Sequence, residues 1–295
     1  MANETNPHSM VLVGVDGTED GLRALHFAVQ EAARRTARLR IVHVQQQFAT
    51  VAPMSALVPD PTLHEVAASI LKHAEEQARM FGSAKPDLDT VLRTGPRNTV
   101  LLIEAADAAC IVVGRRSSQL QHLLTGSTTS ALAAHAHVPV ISVPQTWSPV
   151  VHHGLVVVGI NGSHLASQTL DVALAEARVR QARLEIVHAW RPSGQYDAIL
   201  GSGTLARDWT RATRNSLTRW IHELHPNADV EWSIVPAYQN PAVALHEATQ
   251  AADLLVLGRH GSRAPFGQTL GSVARALLRA GECPIMVAPT SSAAD

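Results

Sequence analysis

Cysteine is nearly absent from this 295-residue chain; Cys110 and Cys283 are its two. They stand at non-equivalent places, so neither a disulfide framework nor a CxxC metal or redox site is available. Both lie beside apolar, strand-like runs and are expected to be small buried hydrophobes. That fits a reducing, cytoplasmic setting. Lysine occurs only at 72 and 85, and arginine supplies nearly all the other positive charge. This is read as a compositional bias without functional meaning. The formal net charge is -1, which leaves no basic footprint for nucleic acid. No apolar run approaches the roughly 18 residues of a membrane helix. The opening MANETNPHSM lacks a basic n-region and an apolar h-region, so no secretory signal is expected. A Walker A lysine loop, a GxSxG elbow and a GxGxxG fingerprint are missing too.

Histidine is abundant, with 16 residues, but it forms no HExxH or Cys/His cluster. His152 and His153 lie in a linker, and His135 and His137 close a helix; all four are read as surface or capping residues. No metal site is expected. His43 and His188 sit inside apolar runs and are read as core or sheet-edge residues. Trp190, Trp209, Trp220 and Trp232 are read as core or interface packing in preference to base stacking. No repeat-equivalent ionisable pair suggests acid–base catalysis.

The chain repeats itself. Gly14, Asp16 and Gly17 recur 145 residues later as Gly159, Asn161 and Gly162. RLRIVHV at 38–44 recurs as RLEIVHA at 183–189, Pro96 is matched with Pro241, and VPVISVP at 138–144 recurs as CPIMVAP at 283–289. A period of domain size means duplication of one fold. Domains are expected at 1–147 and 148–295, joined near QTWSPVVHHG.

Each half alternates strand and helix patterns. In the first, strands are expected at 10–15, 39–44, 109–113 and 138–143, as near-continuous apolar runs suited to a parallel sheet, and the more polar DLDTVLRT at 87–94 is a further strand candidate. Helices are expected at 19–36, 62–82, 97–107 and 127–136. Leu22, Leu25, Ala28, Val29, Ala32 and Ala33 form the apolar stripe of the first helix, with Thr18 and Asp16 near its N-cap. The second half places helices near 164–181, 204–224, 241–251 and 272–281. The fold class is α/β: two doubly wound open parallel sheets, each with five strands and about four helices. Ligands on such sheets bind beyond the carboxyl ends of the strands, at the switch point.

Three segments of each half converge there. Strand 1 ends at Gly14 and Asp16, or at Gly159 and Asn161. Strand 2 ends at Val44 or Ala189. Strand 4 runs into a glycine loop that opens a helix. In the second half this loop is GRHGSRAPFGQTLGSVA: Gly258, Arg259, Gly261, then nine residues, then Gly271, Ser272 and Val273. Glycines let a ligand approach the backbone, and the helix start favours phosphate. Arg259 and Arg263 add positive charge. The physical reading is a phosphate cradle. The first-half copy has Gly114, Arg115, Gly126, Ser127 and Thr128, but Ser117 replaces the second glycine and the loop is one residue short.

These motifs resemble the universal stress proteins. The resemblance is carried by VGVDG at 13–17, IVHV at 41–44, VVGRRSS at 112–118, GSTTS at 126–130, VPVISVP at 138–144 and their second-half partners. It implies a tandem of two such domains. Nucleotide-binding members show a G-xx-G-x9-G-S/T loop, with an Asp closing strand 1 near the ribose. The second half matches the loop but has Asn161; the first has Asp16 but a damaged loop. The resemblance therefore implies ATP, with magnesium, in the second half before the first. It also implies pairing of the two halves through their last strands, a homodimer, an unknown protein target, and at most slow ATP hydrolysis. A scaffold protein with decayed sites is the alternative.

Overall fold

The computed structural model describes residues 10–45, 60–81, 87–115, 128–161, 166–191, 203–259 and 270–289. The chain divides into two compact units, Met1–Pro149 and Val150–Asp295. In the first unit the elements are β1 (Met10–Val15), α1 (Glu19–Arg35), β2 (Arg38–Gln45), α2 (Asp60–Met80), β3 (Leu88–Thr94), α3 (Arg97–Glu104), β4 (Cys110–Gly114), α4 (Thr128–His135) and β5 (Val140–Val143). In the second they are β6 (Leu155–Gly159), α5 (Ala166–Arg180), β7 (Arg183–Ala189), α6 (Gly203–Leu224), β8 (Trp232–Ala237), α7 (Pro241–Ala248), β9 (Leu254–Gly258), α8 (Ser272–Ala280) and β10 (Ile285–Ala288). A 3-10 turn, Thr249–Ala251, ends α7, where the sequence suggested more α-helix.

Within the first unit the strand order is β3-β2-β1-β4-β5, and every pairing is parallel. Within the second it is β10-β9-β6-β7-β8, also parallel. This is the doubly wound α/β architecture. The chain leaves β1 in one direction and β4 in the other, so the switch point lies between the ends of those two strands. In the second unit it lies between β6 and β9. Right-handed crossovers set α1 beside α2, and α3 beside α4. With helices over the strands, the central runs are dry: Leu12, Ile41, Ile111, Leu184, Ile186 and Leu254 are fully buried. Cys110 and Cys283 are buried free thiols.

Two details differ from the sequence pattern. On α1 the buried face includes Ala24, Phe27 and Glu31, while Ala33 is exposed and Leu22 half-buried. The stripe is therefore rotated, and a carboxylate sits where an alanine was expected. Pro96 is the N-cap of α3, whereas Pro241 is the first residue of α7 behind the N-cap Asn240. The matched prolines thus slip by one place. From β3 to β4 the structural offset is 144, with Gly114 standing where Gly258 does. The longer second-half loop restores 145 by Gly126 and Gly271.

Candidate functional site

The strand ends are built first by local capping. Thr18 is the N-cap of α1, and its hydroxyl accepts from the Gly21 N–H at 3.2 Å. Asp16 Oδ1 in turn accepts from the Thr18 hydroxyl at 2.6 Å and from the Thr18 N–H at 3.2 Å. Asp16 therefore organises the helix start as well as standing at the switch point. Gly17 has φ +77°, a left-handed conformation that suits glycine. It borders a cavity of about 160 Å³ that also involves Leu22, Ile70 and His73.

His43 Nδ1 lies 2.9 Å from the Val15 carbonyl oxygen, and His188 Nδ1 lies 3.2 Å from that of Ile160. A carbonyl only accepts, so each ring carries its proton on Nδ1. The pair locks strand 2 of each half to strand 1. Both histidines stand near the carboxyl end of an inner strand, His43 buried, and the arrangement recurs at the repeat-equivalent position.

The glycines of the strand ends have an internal cause. A Cβ on Gly114 would lie 2.3 Å from the Asp20 carbonyl oxygen of α1. On Gly258 it would lie 2.4 Å from Thr169 Oγ1 of α5, and on Gly159 2.8 Å from Leu245 Cδ1 of α7. Helices cross these strand ends closely, so packing requires glycine at 114, against backbone, and favours it at 159 and 258, against side-chain ends, before any ligand is involved. Gly14 is looser, with its virtual Cβ 3.4 Å from Leu101.

Arg259 does not project as a surface cation. It is 5% exposed, and its N–H donates to the Ala288 carbonyl at 3.0 Å. Burial lowers its pKa from the usual arginine value, but a guanidinium remains charged at neutral pH. Arg115 makes the equivalent backbone bond to Val143 at 2.9 Å. Beyond Arg259 the description resumes at Leu270. Gly271 is the N-cap of α8, with φ −60° and ψ 155°, and has no side chain to offer the helix. Ser272 is exposed and Val273 half-buried. Gly261, Arg263, Ser117, Gly126, Ser127 and Gly162 lie outside the described residues.

Across the carboxyl edge of the second half, strand order sets out the candidates in a row. β9 brings Gly258 and Arg259, with the start of α8 following. β6 brings Gly159 and the exposed Asn161. β7 brings Ala189. Gly159 pairs with Val187, so Asn161 stands opposite Ala189 one pleat further on. In the first half the corresponding row is Gly114 and Arg115, with Thr128 on α4, then Gly14 and Asp16, then the buried Val44.

A model of the Universal stress protein family matches this chain twice, over residues 9–144 and 154–289. The chain belongs to the universal stress protein family. A universal stress protein of Mycobacterium tuberculosis is 29% identical over 301 residues, covering 94% of this chain and 94% of the relative. The crystal structure of a universal stress protein from Archaeoglobus fulgidus is similar over 96% of this chain and 99% of its own, with TM-score 0.73 and 16% identity. At that identity the likeness concerns the fold. A universal stress protein solved in complex with cAMP is 26% identical and covers 47% of this chain and 98% of its own, with TM-score 0.38.

Two arrangements escaped the sequence reading. Glu31 is fully buried and bonds Arg35 on the same helix, and the repeat-equivalent Glu176 bonds Arg180. A shared 145-residue offset was the available signal, but the apolar stripe drew attention to Ala33. The second is aromatic. Trp190 lies 5.2 Å from Trp209 and 5.7 Å from Tyr238, ring centre to ring centre, and Trp209 stacks on His188 at 6.0 Å. Trp232 keeps separate company, edge-on to His222 at 5.2 Å. Among the described residues no helix is long and apolar enough to cross a membrane.

Proposed function

We propose that the second half binds ATP and that this universal stress protein acts as a nucleotide-binding regulatory protein in the stress response. The observation that carries the reading is the start of α8. Thr18 caps α1 with its hydroxyl, and Asn240 accepts from the Ala242 N–H at 2.9 Å to cap α7, whereas Pro96 starts α3 without a side-chain bond. At α8 the cap is Gly271, which leaves the first-turn amides to an anion. The phosphates lie over these amides, and the sequence spacing adds Gly261 to the residues that would contact them. The ribose lies at Asn161, whose amide oxygen accepts from a hydroxyl, and the base lies toward Ala189. Strands are about 4.8 Å apart, so phosphate, ribose and base fit the succession β9, β6, β7. ATP brings its magnesium on the phosphates. The protein has no dedicated catalytic role and hydrolyses ATP slowly at most. It works in the cytoplasm, dimerises, and hands its signal to a protein target.

A second reading holds for the first half. Its short loop with Ser117 and the commitment of Asp16 to the α1 cap favour an interaction module there, with its binding row (Gly14, Asp16, Val44, Gly114, Arg115, Gly126, Ser127 and Thr128) weakened or unused.

The test is chromatography of nucleotide extracted from freshly purified protein, followed by titration of the stripped chain with ATP and magnesium. One high-affinity site per chain is expected. Gly271→Asp should weaken it at least about tenfold, because the new carboxylate takes the amides and repels phosphate. The same change should stabilise α8 by only a few tenths of a kcal/mol. Absence of nucleotide in both extraction and titration would overturn the reading.

A further inference from the structure

The aromatic cluster of the second half lies at the strand ends, on the same edge as the candidate row. Trp190 directly follows Ala189 and closes the carboxyl end of β7, with its N–H held by the Ala237 carbonyl at 2.9 Å. Trp209 of α6 backs its indole at a tilt of 31°, and Tyr238 meets it edge-on at 71°. Trp190 nevertheless remains 36% exposed. An aromatic ring braced by two others and still open to solvent offers a fixed flat face on which another ring can stack.

The first half shows what the fold needs there. His43 corresponds to His188 and keeps the same carbonyl bond, but Gln45 stands where Trp190 does, and Thr94 where Tyr238 does by strand register. Among the described residues, that strand end therefore carries no aromatic cluster. The cluster occurs in the half whose phosphate loop has full length.

We infer that Trp190, braced by Trp209 and Tyr238, is the stacking platform for the base of the nucleotide bound in the second half. The inference rests on the nucleotide reading given above and adds how the base is held. Phosphate over β9 and ribose over β6 carry the base toward β7 and β8, where Trp190 stands one residue beyond Ala189. Stacking accepts any base with a π-face. The site then distinguishes nucleotides from bare phosphates much more strongly than it distinguishes ATP from GTP.

The experiment titrates the stripped full-length chain with ATP, GTP and inorganic tripolyphosphate, by calorimetry and by tryptophan emission. ATP and GTP should quench emission and bind within about threefold of each other; tripolyphosphate should bind weakly and leave emission unchanged. Trp190→Ala should weaken ATP and GTP at least about tenfold and spare tripolyphosphate. Trp190→Phe should keep ATP within about threefold of wild type and lose most of the quenching. If Trp190→Ala does not fold, Trp190→Leu against Trp190→Phe makes the same comparison, with ring against aliphatic bulk. Equal ATP affinity in a folded Trp190→Ala or Trp190→Leu chain would overturn the inference and leave nucleotide binding standing. ATP binding no tighter than tripolyphosphate in wild type would overturn it while keeping the phosphate site. No binding of any of the three would remove both.

Discussion

At the β2–β3 edge of the first half, Arg40 reaches Asp89 at 2.8 Å and Glu104 at 3.5 Å, and Arg93 reaches Glu104 at 2.6 Å. At the β7–β8 edge of the second half, Arg40 is replaced by Glu185, Asp89 by Ser233 and Arg93 by Ala237, following strand register. Tyr238, Trp190 and Trp209 gather there instead. Strand order, the histidine locks and the buried Glu–Arg pairs are common to both halves. Duplication has kept what the sheet needs to fold and released the outer edge and the loop after strand 4. The first half finishes its edge with partly exposed ion pairs, each worth at most about 1 kcal/mol. The second finishes it with rings that a planar ligand can use. Divergence is thus concentrated where binding chemistry would act.

The largest test of the shared frame concerns the buried ion pairs. Glu176 and Arg180 have side chains only 5% and 6% exposed, whereas Arg34 and Arg35 beside Glu31 are 27% and 17% exposed. Removing Glu176 leaves a buried guanidinium without its carboxylate, so Glu176→Ala should cost about 3–5 kcal/mol. In Glu31→Ala the two arginines turn toward water, and the cost should fall to about 1–2 kcal/mol. Urea unfolding checks both, with tryptophan emission reporting mainly the second half. Equal losses would mean that solvent access does not separate the pairs.

The next test separates two close approaches by glycine. Gly114 faces a backbone oxygen, which cannot rotate away, whereas Gly258 faces the hydroxyl of Thr169. Gly114→Ala should destabilise the first half by about 3 kcal/mol, and Gly258→Ala the second by about 1 kcal/mol. Adding Thr169→Ala should recover most of the second loss and none of the first. Hydrogen exchange resolves the halves in the intact chain. Failure of that rescue would show that the clash with Thr169 is not what requires glycine at 258.

These cases also mark what could be read without coordinates. Strand and helix alternation was legible because apolar runs and turn residues alternate, and the repeat fixed the strand ends at Asp16, Asn161, Val44 and Ala189. The glycine loop was legible as spacing. The cause of glycine at 114 and 258 was not, because it depends on which helix crosses the strand end. Burial of Glu31 was hidden because alanines on both sides of α1 allow either face to turn inward. The aromatic cluster was hidden because Trp190, Trp209 and Tyr238 come together only through β7–β8 pairing and the placement of α6. The slip between Pro96 and Pro241 shows why a constant offset misleads: a residue lost before strand 3 and one gained after strand 4 cancel.

The remaining test concerns the residue at the end of strand 1. Asn161→Asp should tighten ATP binding in the second half about tenfold, since one charge-assisted bond to a ribose hydroxyl adds roughly 1.4 kcal/mol over a neutral one. Asp16 shows how that gain could be diverted. Its Oδ1 is taken by the hydroxyl and N–H of Thr18, and Ser163 stands at the matching place in the second half. A new carboxylate at 161 has two customers, the ribose and the cap of α5. Calorimetry and unfolding on the same variant tell them apart. Tighter ATP with unchanged stability assigns the strand-1 residue to the ligand. Unchanged affinity with about 1 kcal/mol of added stability assigns it to the helix start. In that case Asp16 in the first half marks a cap and not a ribose site.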